Sequence, residues 1–184
     1  MPHLWQGQLV RLRAVEPDDW KVFHEWDKDG MAGRLTDEVW FPQSTLAQQK
    51  WTEEQATRKP HNDAYRFQIE NLAGELVGTL NTHTCNPRNG TFSYGLGILP
   101  TYQRKGYASD AIKLIIRYFF NERRYHKVNA TVYSFNEPSI HLHERLGFQL
   151  EGRLRNMIYT DGQLHDELIY GMTLEEYNAK HGKT

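Results

Sequence analysis

The chain has 184 residues and a formal net charge of −1, with 39% hydrophobic and 24% charged residues. That size and balance suit one soluble globular domain and exclude a disordered polyelectrolyte. The near-neutral charge argues against a protein whose main task is gripping phosphate backbones, so nucleic acid is not an expected partner, although a local patch could still meet a protein or tRNA.

Met1 to Gln8 lacks the basic-then-apolar order of a signal peptide, and no apolar run reaches the length of a membrane span. The expected location is the cytoplasm, with no membrane partner. Leu9 to Ala14 alternates apolar and basic residues, as a half-exposed strand does. Asp18 and Asp19 start a short helix through Trp20, Phe23 and Trp26. Gly30 to Ser44 carries Gly, Pro and Asp and reads as a loop. Thr45 to Arg58 reads as a polar helix anchored by Trp51. Tyr65 to Glu70 and Leu76 to Thr84 read as strands joined by a turn at 71–75. The single cysteine, Cys85, excludes a disulfide within the chain, favours a reducing compartment and reads as a spectator thiol rather than a nucleophile. Asn86 to Gly90 is a turn, and Thr91 to Leu99 another strand.

From Ala108, apolar residues fall at Ala111, Ile112, Ile115, Ile116 and Phe119, the spacing of one buried helix face. Lys127 to Tyr133 reads as a strand with Val128, Ala130 and Val132 on one side. Glu137 to Leu146 reads as a short helix stopped by Gly147. Gln149 to Tyr159 and Leu164 to Thr173 read as a hairpin around Thr160-Asp161-Gly162. No repeat or interdomain linker breaks the pattern. The expectation is an α/β (α+β) chain, a single domain over 1–184 with a core of about 8–173. Its central sheet is mixed, with helices on both faces.

The segment from Gly97 to Ala108 carries the clearest chemistry. A strand ends at Pro100, a turn containing Gly106 follows, and an amphipathic helix opens at once. The first turn of a helix leaves backbone N–H groups unpaired and carries partial positive charge, which makes an anion site. Gly106 removes the side chain that would hold a phosphate away, Ala108 is small, and Arg104 and Lys105 add charge. A strand-to-helix turn of this composition is also common without any ligand. It is neither a P-loop nor a dinucleotide fingerprint.

Gln103-x-x-Gly106-x-Ala108, after a strand and a Pro and before a helix, resembles the acyl-CoA signature of the GNAT superfamily. Asn136 to Phe148 resembles that superfamily's later block, and the order of strands and helices matches from about Gln8 to Thr173. Gln149 to Arg155, followed by Tyr159, Asp161-Gly162, His165 and Asp166, is similar to the branch that holds ribosomal-protein N-terminal acetyltransferases and their small-molecule relatives. The resemblance implies a GNAT fold with a sheet of six to seven strands. It implies an acetyl-CoA-dependent N-acetyltransferase working by direct attack, with acetyl-CoA as co-substrate and no metal. It implies that Gln103, Arg104, Lys105, Gly106, Tyr107 and Ala108 hold the pyrophosphate. Two parallel strands, Thr91 to Leu99 and Lys127 to Tyr133, would splay, with Ile98 meeting the pantetheine arm and a backbone N–H near it serving the oxyanion.

Asn136, Ser139 and His143 share one helix face that would line the same gap, although Asn136 also reads as a plain N-cap. Many members carry at position 143 a Tyr that protonates the leaving thiolate. Here it is His143, which can serve as an acid or simply pack beside Leu142 and Leu146. An acid often found two residues before a Gly on the preceding strand is replaced by Ser93. The base is therefore open among His83, Tyr94, His165 and Asp166. Nothing has metal-site spacing.

The acceptor is expected between the early helices and the last hairpin. Trp40, Phe41 and Pro42 are either its wall or core anchors, His83, His165 and Asp166 are further candidates, and Asp37, Glu38, Asp161 and Asp166 are acids that could attract a cation. The acceptor partner is a primary amine, either a protein N-terminus or a small molecule, and a homo-oligomer is compatible with the sequence. The competing reading is a non-catalytic acyl-CoA-binding regulator; release of free thiol with mixed amines separates the two.

Overall fold

The computed structural model describes residues 4–36 and 39–182. The elements in chain order are β1 (Val10–Arg13), α1 (Trp20–Trp26), α2 (Gly30–Thr36), α3 (Thr45–Thr57), β2 (Arg66–Asn71), β3 (Leu76–Asn86), β4 (Thr91–Ile98), α4 (Tyr107–Asn121), β5 (Lys127–Tyr133), α5 (Glu137–Leu146), β6 (Gln149–Thr160), β7 (Gln163–Thr173) and α6 (Leu174–His181). Short 3-10 turns lie at Pro17–Asp19 and Pro100–Tyr102. The seven strands form one sheet in the order β1-β2-β3-β4-β5-β7-β6. β4 and β5 run parallel, while β1–β2, β2–β3, β5–β7 and β6–β7 are antiparallel. The sheet is mixed, as expected.

The residues group into two units, Met1–Asn81 with Leu96–Leu114, and Thr82–Gly95 with Ile115–Thr184. In the first, β1 alternates as its residues require. Val10 and Leu12 are buried, while Arg11 and Arg13 both pair with Glu70. Arg13 also forks onto the two carboxylate oxygens of Asp19 at 2.9 and 2.8 Å, which ties the strand to the turn before α1. α3 opens on Ser44, whose hydroxyl accepts from the Ala47 amide at 3.1 Å. It is anchored by Trp51, which meets Phe23 edge-on at 5.3 Å.

The expected loop from Gly30 to Ser44 is half helix: Gly30–Thr36 forms α2. The reason is Asp29, whose carboxylate accepts from the amides of Met31 and Ala32 at 3.0 and 3.1 Å. A cap of that kind overrides the poor helix propensity of Gly30 and Gly33.

In the second unit, Phe92 of β4 stacks on Phe119 of α4 at 4.0 Å, with Phe120 and Tyr125 edge-on around it. Every apolar position anticipated on α4 is buried: Ala111 and Ile112 in the first unit, Ile115, Ile116 and Phe119 in the second. Full burial of an Ile or Phe side chain contributes about 1.5–3 kcal/mol. β6 and β7 are joined through Asp161 (φ 51) and Gly162 (φ 74), the two positive φ values of a tight hairpin turn. α6 has no counterpart in the sequence reading. It is capped by Thr173 and Glu176 in a reciprocal box and held by the buried Tyr177.

The parallel β4–β5 ladder contains only Thr91↔Lys127, Phe92↔Val128 and Ser93↔Asn129. It stops there although β4 continues to Ile98 and β5 to Tyr133.

Candidate active site

The turn after β4 belongs to the first unit. Leu99 donates to the Val77 carbonyl at 2.9 Å and Tyr102 to that of Leu99 at 2.8 Å, so the chain folds back at Pro100. Arg104 (φ 62) and Gly106 (φ 85) then both adopt left-handed backbone. For glycine this is free, whereas for arginine it costs about 1–2 kcal/mol. Asp110 is the first residue of the helix whose amide finds a carbonyl, donating to Gly106 at 3.1 Å. Among the described residues, the amides from Arg104 to Ser109 donate to no backbone carbonyl. The side chains of Arg104 and Lys105 are exposed beside them, with the Lys105 ammonium 5.1 Å from the Tyr102 ring. Several N–H groups without a carbonyl partner, next to a residue with no Cβ, are the features an anion site needs.

The Gln103 side chain does something the sequence did not suggest. Its Nε2 donates to the Ile98 carbonyl at 3.1 Å, pinning the turn to the end of β4. Glycines make this end possible. A Cβ on Gly97 would lie 2.7 Å from the Trp26 ring of α1 and 3.1 Å from the Thr36 methyl of α2, and a Cβ on Gly78 would lie 2.3 Å from the Gly97 carbonyl. Asp110, in the first turn of α4, accepts from the amides of Leu9 and Val10 at 2.7 and 3.0 Å.

In the second unit, Asn136 caps α5, its side chain accepting from the Ser139 amide at 3.2 Å. Ser139 and His143 follow on the same face. His143 is buried, with 5% of its surface exposed. Its Nδ1 lies 2.7 Å from the Ser139 carbonyl oxygen. A carbonyl only accepts, so Nδ1 carries the proton. Nε2 lies 2.9 Å from the Tyr94 hydroxyl and accepts from it. Burial lowers the His143 pKa, against an opposing contribution from the hydrogen bond to Ser139. Burial also pushes the Tyr94 phenol well above its usual value. At neutral pH both groups are uncharged. The imidazole stacks on Tyr94 and Tyr170, with ring centroids 6.0 and 5.9 Å apart, and meets Phe148 edge-on at 5.1 Å. Sequence reasoning had both residues but not the bond between them.

The acceptor candidates are less concentrated. Trp40 is 56% exposed and Phe41 94%, which excludes the core-anchor reading for both. Asp37 and Glu38 lie outside the described residues. His83 is exposed, with Nδ1 3.0 Å from the Thr84 hydroxyl. The His165 ring packs on Phe135 at 4.6 Å. Asp166 is committed to the hairpin: it accepts from the Asn156 amide at 2.9 Å and pairs with Arg153. The Asn156 amide and then Arg153 hold its pKa low, which leaves a poor proton acceptor.

Residues 10–149 match the acetyltransferase (GNAT) domain family. A Bacillus subtilis relative, the SPbeta prophage-derived uncharacterized N-acetyltransferase YokL, is 42% identical over 178 residues, 97% of each chain. The spermidine N(1)-acetyltransferase of Escherichia coli K12 is 27% identical over 172 residues, covering 94% of this chain and 90% of its own. Among solved structures, the spermidine N-acetyltransferase of Vibrio cholerae, in complex with CoA and spermine, superposes with a TM-score of 0.78 at 22% identity, covering 91% of this chain and 97% of its own. The chain therefore belongs to the GNAT acetyltransferase family. It is an acetyl-CoA-dependent N-acetyltransferase, and acetyl-CoA is its co-substrate. No described helix is long and apolar enough to cross a membrane.

Proposed function

We propose that this enzyme acetylates a primary amine of a small polycation of the spermidine kind, by direct attack on acetyl-CoA. The observation that carries the cofactor half is the run of undonated amides from Arg104 to Ser109 around a left-handed turn. Those amides, with Arg104 and Lys105, bind the pyrophosphate, while Tyr107 and the small Ala108 open the helix behind it. Acetyl-CoA supplies the acetyl group already activated as a thioester. Ile98 meets the pantetheine arm, and a backbone N–H of that strand end stabilises the oxyanion. Asn136 and Ser139 hold the face on which His143 handles the proton. Trp40, His83 and His165 border the acceptor, with Asp166 as an electrostatic contributor rather than a base.

The acceptor half rests on the likeness to the Escherichia coli spermidine enzyme, which runs along nearly the whole chain. A protein N-terminus is the second acceptor class. A panel of polyamines, simple amines and N-terminal peptides, assayed for release of coenzyme A, tests the choice. Release with spermidine or spermine and none with peptides is expected; release with peptides alone overturns the polyamine reading.

A further inference from the structure

We infer that the segment Gly7–Val10, gripped by Asp110, is a positioning strap for acetyl-CoA: it holds the turn from Gln103 to Gly106 in its bent form before the cofactor arrives. The strap rests on the reading of that turn as the pyrophosphate site, and it serves whichever amine is acetylated. All of these residues lie in the first unit.

The turn needs holding. Arg104 (φ 62) is left-handed without being a glycine, and its side chain is exposed. Left to itself an arginine adopts that conformation only a small fraction of the time. Such a conformer persists where the chain on both sides fixes it. On the strand side, Leu99 donates to the Val77 carbonyl at 2.9 Å and Gln103 Nε2 to the Ile98 carbonyl at 3.1 Å. On the helix side the hold comes from outside the turn. The amides of Leu9 and Val10 both donate to one oxygen of Asp110, Oδ2, at 2.7 and 3.0 Å. Hydrogen bonds to a carboxylate are stronger than those between neutral groups.

The strap is shaped to reach that carboxylate. Gly7 donates to the Val10 carbonyl and Leu12 to that of Trp5, both at 2.8 Å, so the chain doubles back just before β1. A Cβ on Gly7 would lie 2.4 Å from Asp110 Oδ2, so backbone closes over the carboxylate on that side. Leu9 reaches the turn itself: its methyl stands 3.0 Å from where a Cβ on Gly106 would be. One four-residue segment therefore touches both the left-handed glycine and the first turn of α4.

Two roles for Asp110 give effects of opposite sign. A carboxylate in the first turn of α4 repels an anion bound at the same helix end, although it favours the helix itself. As a charge alone, Asp110 weakens acetyl-CoA binding. As the anchor of the strap, it strengthens it.

Acetyl-CoA affinity of the full chain, measured by calorimetry, decides between them. Once released, the turn is bent only as often as a left-handed arginine allows. Asp110→Ala should therefore weaken binding by about 5- to 30-fold, although it takes a negative charge away from the anion. Asp110→Asn keeps an oxygen that can accept both amides and should bind nearly as wild type does. Gly7→Ala drives a methyl into the carboxylate from the strap side and leaves Asp110 in place. It should reproduce the loss, and it replaces Asp110→Ala if that variant does not fold. In the Asp110→Ala background, Arg104→Gly should recover affinity, because glycine takes the left-handed form freely. A purely structural contact would lower stability in urea and leave affinity unmoved. Affinity equal to or tighter than wild type in folded Asp110→Ala or Gly7→Ala overturns the strap, as does an equal loss in Asp110→Asn. Gly106→Asp is measured beside them. If it too leaves affinity unchanged, the pyrophosphate reading falls and takes the strap with it; if it alone abolishes binding, only the strap falls.

Discussion

The turn from Arg104 to Ala108 and the pair Tyr94–His143 use opposite parts of the polypeptide. The turn presents main-chain amides, with the side chains of Arg104 and Lys105 exposed beside them. The pair consists of two buried side-chain atoms 2.9 Å apart, and the backbone only supports them. A backbone site tolerates a change of side chain but not of conformation. A side-chain site tolerates neither loss of its atoms nor a change in their protonation.

The sharpest way to break the turn is Gly106→Asp. It puts a Cβ on a left-handed residue, 3.0 Å from the Leu9 methyl, and a negative charge before the amides. Acetyl-CoA binding should vanish in calorimetry while the far-ultraviolet circular dichroism stays native. Unchanged affinity in a folded protein would displace the site.

For the pair, His143→Ala should lower kcat by roughly 10²-fold with acetyl-CoA affinity unaffected. It also strands the Tyr94 hydroxyl, for a stability loss of about 1–3 kcal/mol, read from urea denaturation. Normal kcat with that same stability loss would leave His143 a purely structural residue.

The protonation half of the contrast has its own test. Burial lowers the His143 pKa from 6.5 in the fold, so at lower pH the unfolded chain takes up a proton that the native one refuses. The contribution of His143 to stability is complete above about pH 6.5 and is lost as pH falls below it. Wild type should lose more stability than His143→Gln on going from pH 7 to pH 5. Parallel curves would mean that the imidazole titrates normally.

Arg104→Gly sharpens the other side. It removes one charge but relieves a left-handed arginine, so acetyl-CoA affinity should fall less than about tenfold. The melting point should rise, because the strained conformer is worth about 1–2 kcal/mol. A large affinity loss would move the weight of the site from backbone to guanidinium. The smallest effect is expected at Cys85→Ser. Direct attack needs no thiol on the enzyme, so kcat should stay within twofold or so of wild type. An acetyl group trapped on Cys85, seen by mass spectrometry, would replace the mechanism.

The same contrast explains what could be read in advance. The turn was legible because its signal is contiguous: Gln103, Gly106 and Ala108 lie within six positions and a helix period follows. α4 was legible because its buried face repeats along one element. The Tyr94–His143 bond joins residues 49 positions apart on a strand and a helix. No local pattern announces such a meeting: Tyr94 reads as one candidate base among several and His143 as an acid or a packing residue. α2 was hidden by its glycines, since its cap lies one residue before it, on Asp29. α6 was hidden because only Tyr177 is buried on it and its capping box is followed by no apolar run. Gln103 was recognised as a motif residue, but the bond of its side-chain amide to the Ile98 carbonyl was not.

The carboxylate of Asp110 receives the amides of Leu9 and Val10 from 101 and 100 positions earlier in the chain. During synthesis β1 therefore emerges long before the helix it must meet, at elongation rates of about 5–20 residues per second. For several seconds the amides of Leu9 and Val10 have water rather than Asp110 as their acceptor. Closing that long loop is slow relative to winding α4, which takes about nanoseconds per residue. The turn before α4 therefore gains its final orientation late, when the segment carrying Leu9 and Val10 docks on Asp110. Shortening the chain from its amino end should slow the appearance of acetyl-CoA binding during refolding, even where the finished turn is unchanged.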